Sequence, residues 1–329
     1  MKKFVSMIVL LFSLVVIAGC STKENYDIVT TMFPQYDFAR QIVGDKLSVG
    51  LLLPLGTEGH DYEATSRDLI MIKESKLFIF TSLDIDTWIK NPEAIGGANT
   101  IVMNLSEHYV LSEHEHHEDD HLYETSLNGV LLSETDDDHD DDDHDHDNQI
   151  HFWVDPTTAI QLIEAILEKI IEIDPENAAY YEENAHTYMH ELEELHEAMD
   201  IFFQNELYHD QTFYFAGHNA LGAFADRYHF EIVSLFPDFK PDADLTSSEL
   251  SSFIHLIKTN QVSYLFIEEL VEPKAAITIQ NALANENYTI TLRELHGFHN
   301  ITEDEWEDGI TYLDLLQRNF DYLKEALGA

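Results

Sequence analysis

Four histidines stand where loops leave short apolar runs. His60 follows LSVGLLL, in the loop PLGTEGHDYE. His218 follows TFYFA, in AGHNA. His296 lies just past YTITLRE, and His151 precedes FWVDP. If the runs are strands of parallel sheets, their carboxyl ends are where such sheets bind ligands. Neutral imidazole suits Zn, Cu, Fe and Ni, whereas Mn favours carboxylates. Four imidazoles, or three with a water or a carboxylate, fit tetrahedral zinc. Taken singly, each histidine reads more simply as a surface or structural residue; the shared placement is the signal. Ligation by neutral imidazole implies an affinity that falls as pH drops through about 6.5.

A second group of histidines is of another kind. Segment 113–147 holds His114, His116, His117, His121, His139, His144 and His146, with 16 acidic residues and no basic one, and ends in DDDHDDDDHDHD. Clustered imidazoles bind borderline metals, and the surrounding carboxylates raise the local cation concentration. The sequence therefore predicts a disordered chelating arm, weaker than a preformed site because ordering it costs entropy. A merely solvated loop would explain the Asp but hardly the interleaved His. His117 to His121 spell H-E-x-x-H. That motif marks a zinc protease only on a packed helix with apolar neighbours, and here the neighbours are acidic. His186 and His190, four residues apart further on, can chelate on a helix surface, although two exposed histidines need no role beyond solvation.

The elements that must position these groups follow from periodicity. YDIVTTMF (26–33), LSVGLLL (47–53), LFIFT (77–81) and TIVMN (100–104) read as strands, with helices from Pro34 to Gly44 and over 65–75. After HFWVDP a helix runs to about Ile173, and Asp174-Pro175 opens another. On it Tyr181, Ala185, Tyr188, Leu192, Leu195, Met199 and Phe202 form one apolar stripe, as in a coiled coil or a rigid rod packed on two lobes; the α/β segments on both sides favour the rod. TFYFA, FEIVS (230–234), VSYLFIE (262–268) and YTITLRE (288–294) are further strands. Thr246 and Thr302 each begin a capping-box spacing, the second before a final helix. The expected class is α/β: two lobes, each with a mainly parallel sheet flanked by helices, over 26–155 and 210–329. Linking helices over 156–209 join them, and a metal site lies in the cleft between them.

The ends and the charge bound the setting. MKK, the apolar run FVSMIVLLFSLVVI and Ile17-Ala18-Gly19-Cys20 read as a secretory signal over 1–19. The run is shorter than the roughly 18–20 residues of a membrane span. Cys20 is the one cysteine in 329 residues, so it forms no intrachain disulfide. Small residues before it resemble a bacterial lipobox, which would anchor the chain by a diacylglyceryl group, with 20–25 as lipidated Cys and tether, on the outer face of a membrane. The net charge of −46, or −30 without segment 113–147, makes nucleic acid a poor partner. No nucleophile–base pair or cofactor loop argues for an enzyme.

The motifs together resemble a known family over about 27–327: the zinc- and manganese-binding lipoproteins of bacterial ABC importers. TTMFPQYDFARQIVGDKLSVGLLLPLGTEGHDYE is similar to the family's opening through its first ligand loop, on His60. HFWVDP is similar to its second ligand motif, on His151, and FAGHNALGAFADRYHF to its third, on His218. PDADLTSSEL and FIEELVEPKAA match landmarks of the second lobe. ELHGFHNIT lies where many members supply Glu or Asp as fourth ligand; this chain offers His296, with His299 three residues on and Glu294 just before. The resemblance implies two lobes on a rigid helix, Zn2+ as cargo, and a His/Asp-rich insertion of the kind zinc-selective members carry. It also implies delivery, by a monomer, to a permease and its ATPase. The alternatives are manganese or iron in the same fold, or a surface adhesin.

Overall fold

The computed structural model describes residues 25–59, 62–110, 150–236 and 246–329. The leader, Cys20, His60 and all seven histidines of segment 113–147 lie outside the described residues.

Two four-stranded sheets organise the chain. The first contains β1 (Ile28–Thr30), β2 (Val49–Leu51), β3 (Leu77–Phe80) and β4 (Ile101–Asn104), ordered β2-β1-β3-β4. The second contains β5 (Thr212–His218), β6 (Glu231–Phe236), β7 (Tyr264–Ile267) and β8 (Thr291–Glu294), ordered β6-β5-β7-β8. Every pairing is parallel. In both sheets the chain leaves the first strand to one side and returns on the other. This reversal of winding places the ligand-binding end between β1 and β3, and between β5 and β7.

Parallel sheets of this kind are covered on both faces, and the side chains divide accordingly. Ile28, Leu77 and Ile79 enter one large core together with Phe213, Phe215 and Phe266. Their neighbours Val29, Phe78 and Phe80 face a second cluster, and Tyr214, Ala216 and Leu265 a third. Between the sheets in sequence run α4 (Pro156–Ile173) and α5 (Ala178–Phe203), both of which bury residues in the large core. The apolar stripe of α5 ends on Phe203 rather than Phe202, which is half-buried and stacks on Tyr208 at 4.3 Å. The last two steps, Leu195 to Met199 and Met199 to Phe203, are both four, which brings the stripe back to the period of a straight α-helix and away from a supercoiled seam.

The other helices are α1 (Phe33–Val43), α2 (Ser66–Glu74), α3 (Pro92–Ile95), α6 (Gly222–Tyr228), α7 (Ser247–Thr259), α8 (Lys274–Asn285), α9 (Glu303–Asp308) and α10 (Tyr312–Leu327). The Thr246–Glu249 capping box forms as expected, with Glu249 Oε2 accepting from the Thr246 N–H at 2.7 Å. The Thr302–Glu305 box also forms, but it opens the short α9 instead of the final helix. Gly309, at φ 72°, ends α9, and a second box, Thr311–Asp314, starts α10.

One buried carboxyl joins the ends of β1 and β3. Asp86 Oδ2 accepts from the Thr81 N–H at 2.7 Å and from the Thr31 hydroxyl at 3.4 Å. Burial pushes its pKa up to about 6, against the pull of those donors. A folded-state pKa above the unfolded value favours the neutral form, so its stabilising contribution is complete below about pH 3.9 and is lost as pH rises through 6. Asp86→Asn should flatten the loss of stability between pH 4 and 7 by up to about 3 kcal/mol. Urea midpoints at the two pH values test this; parallel losses in both proteins would show that Asp86 is not the titrating group.

Candidate metal centre

The second sheet delivers its ligand side chains at its winding reversal. β5 extends through His218, its pairing with β6 shifting in register between Phe215 and His218. Next to it β7 is followed directly by Glu268 and Glu269, both buried. The chain beyond β8 turns at Phe298, whose φ of 65° puts an apolar residue in the left-handed region, a strained conformation that the surrounding packing must hold. Phe298 is fully buried against Tyr312, ring centroids 4.4 Å apart. The turn brings His299 back toward β5.

His151 arrives from the other side. It precedes a 3-10 turn, Phe152–Val154, and the chain enters α4 at Asp155, which caps the helix by accepting from the Thr157 N–H at 3.1 Å. Arg227 of α6 donates to both oxygens of Asp155, at 3.0 and 2.7 Å. The Trp153 indole donates to Gly297 O at 2.9 Å. The D-P of HFWVDP is thus a cap and an anchor that fix His151 against the second sheet.

His151, His218 and His299 converge. Their ligating nitrogens lie within 4.8 Å of one another, and the three residues are only 1–3% exposed. His151 Nε2 and His218 Nε2 are 3.5 Å apart, close to the roughly 3.3 Å between two nitrogens each bound at 2.0–2.1 Å to a tetrahedral zinc. Carboxylates stand behind two of the rings: Glu268 Oε1 is 2.7 Å from His218 Nδ1, and Glu269 Oε1 is 2.9 Å from His299 Nδ1. Such partners fix the tautomer and make the ligand more basic.

Two glycines let the carboxylates approach. A side chain on Gly217 would meet the Phe215 ring at 2.6 Å and Glu268 Oε2 at 2.9 Å, and one on Gly297 would meet the His299 ring at 2.9 Å. Glu269 also accepts from the Gly297 N–H at 2.9 Å. Burial pushes the Glu269 carboxyl up, but the adjacent imidazoles and this N–H prevail and hold it well below the ordinary carboxylate range. Burial pulls His299 down, and its bond to Glu269 more than restores it, so its pKa is raised.

His296, expected as the fourth ligand, is outside this group. Its Nδ1 accepts from the Phe298 N–H at 2.9 Å, which places the ring proton on Nε2. Burial pushes its pKa down to about 4 against the pull of Glu269. The tight turn at Phe298 that commits His296 to this bond is what presents His299 instead. Glu294 is taken by Arg318 at 3.1 Å. The bracing glutamates were visible in the sequence only as two adjacent acids at a strand end in FIEEL. Glu269→Gln should weaken metal binding about 10–100-fold, measurable by chelator competition; unchanged affinity would show that the brace is dispensable.

A buried group of imidazoles at the carboxyl end of a doubly covered parallel sheet defines a binding protein for a borderline metal ion. Residues 28–326 match the family model described as zinc-uptake complex component A, periplasmic (ZnuA), and the chain belongs to that family. It is accordingly a component of zinc uptake and not an enzyme. The chain is 28% identical over 337 residues to the high-affinity zinc uptake system protein ZnuA of Bacillus subtilis (strain 168), covering 99% of this chain and 98% of that one. It is 26% identical over 331 residues to the zinc-binding lipoprotein AdcA of Streptococcus pneumoniae (strain ATCC BAA-255 / R6), covering 99% of this chain but only 61% of AdcA. The crystal structure of the metal-dependent lipoprotein YcdH from Bacillus subtilis superposes with a TM-score of 0.68 at 25% identity, over 92% of this chain and 99% of that one. Among the described residues no helix is long and apolar enough to cross a membrane.

Proposed function

We propose that this chain captures Zn2+ outside the cell and delivers it to the permease and ATPase of an ABC importer. The observation that carries the reading is the convergence of His151, His218 and His299, with the Glu268 and Glu269 carboxylates close behind two of the rings. An all-imidazole group whose nearby carboxylates are held at the back of the rings suits zinc better than manganese. His60, in the loop similar to the family's first ligand loop, is the fourth ligand in this proposal, and the ion sits between lobes 26–155 and 210–329. Cys20 carries the lipid anchor on the outer face of the membrane, and the protein acts as a monomer. Segment 113–147 serves as the accessory arm that collects metal for the centre.

The test uses the chain begun after Cys20 and lacking 113–147, titrated with Zn(II) and Mn(II), beside its His218→Ala variant. One tight zinc site is expected, lost in the variant and not displaced by excess manganese. If tight zinc binding instead disappears with the arm, the arm is the site and the reading fails.

A further inference from the structure

We propose that the solvent face of α5 carries a second, separate site for a divalent transition metal, built from His186 and His190 with the carboxylates of Glu182 and Glu194. These four residues recur at every fourth position and all are exposed. At about 100° per residue they form one row winding across the side of the helix opposite the buried stripe. Residues four apart on a helix are neighbours. Two imidazoles at that spacing can turn one ring nitrogen each toward a single ion, as the paired histidines of H-E-x-x-H do.

The surroundings favour a cation. The His190 ring lies among acceptors, Nε2 3.6 Å from Glu194 Oε1 and Nδ1 4.0 Å from Glu193 Oε2. Between Ala178 and Phe203 the helix has no lysine or arginine, so no fixed positive charge on α5 competes for the carboxylates. The helix itself is held by its buried stripe, from Tyr181 to Phe203, so the backbone positions of the donors are fixed and only their exposed side chains must rotate to meet an ion. Two imidazoles with one or two carboxylates suit zinc, copper or nickel rather than magnesium or calcium. Exposure leaves the remaining positions to water, so this site binds more weakly than the buried centre. It involves neither the three converging histidines nor the His/Asp segment.

The experiment uses the full-length protein in detergent. Histidines are modified with diethyl pyrocarbonate and quantified peptide by peptide, with zinc chloride alone or with chelator. Zinc should suppress modification of His186 and His190 together, over one concentration range. His255, exposed on α7 with only serines, a lysine and a threonine a turn away, should be unaffected. In His190→Gln, zinc should no longer protect His186. Equal modification of both residues with and without zinc would overturn the proposal. So would full protection of His186 in the variant, because that would reflect occlusion rather than chelation.

Discussion

His299→Ala is expected to weaken zinc binding by roughly two to three orders of magnitude in the chain lacking residues 113–147. Apparent zinc-binding energies of about 10–16 kcal/mol, divided over four ligands, assign roughly 2.5–4 kcal/mol to each, and each 1.4 kcal/mol is tenfold in affinity. His299 is a member of the converging group, only 3% exposed, with Glu269 fixing the back of its ring. The instructive comparison is His296→Ala. That ring is equally buried and three residues away, but its Nδ1 is committed to the Phe298 N–H. Its removal should lower stability and leave zinc affinity within about tenfold of the parent, since it acts on His299 only through the turn. Competition against a chromophoric chelator measures both. If His296→Ala proves the more damaging to affinity, the metal is held by a different set of nitrogens.

The second large effect concerns the junction of three helices. Asp37 of α1 is fully buried. Its Oδ2 accepts from the Tyr188 hydroxyl of α5 at 2.7 Å and from the Tyr312 N–H, at the start of α10, at 2.8 Å. Its Oδ1 accepts from Arg40 at 2.8 Å and Gln41 at 3.1 Å. Arg40 in turn donates to the carbonyls of Gly309 and Ile310. The carboxylate therefore meets the positive end of α10 while satisfying a buried phenol. Tyr188 is held in its neutral form, its pKa raised well above the ordinary value by burial and then by Asp37. Asp37→Ala leaves the phenol without its acceptor and the Tyr312 N–H and Arg40 Nε–H without a partner, and should cost about 3–5 kcal/mol of folding stability. Urea unfolding of the metal-free protein measures it. A loss below about 1 kcal/mol would mean that water replaces the carboxylate at this junction.

The fold was legible because both of its periodicities are written plainly. Strand runs such as LFIF alternate between two cores, and the α5 stripe marks a long buried face. The strands proved shorter at their ends than the apolar runs, since apolar residues continue into the buried loops that follow, as Leu52 and Leu53 do after β2. β5 and β6 are the exceptions and run on to His218 and Phe236. The break between α9 and α10 was missed although Gly309 and Thr311 were both in view, because the first capping box accounted for the segment alone. At the candidate site, His151 and His218 stood out by their places at the ends of recognisable elements, and both are among the three imidazoles that converge. His296 and His299 could not be ranked from sequence: which of them faces the others depends on a left-handed backbone at a phenylalanine, a conformation its side chain gives no reason to expect. Glu268 and Glu269 were recognisable as acids but not as partners, because the pairing needs β5 and β7 to be adjacent, a fact of topology rather than of local pattern.

Near-complete enclosure of the three imidazoles also has a kinetic side. Imidazoles only 1–3% exposed leave an outside ligand no room to attack an ion held among them, so release is expected to require that the surrounding side chains move first. Residence time would then follow the frequency of that movement rather than the strength of the nitrogen–metal bonds alone.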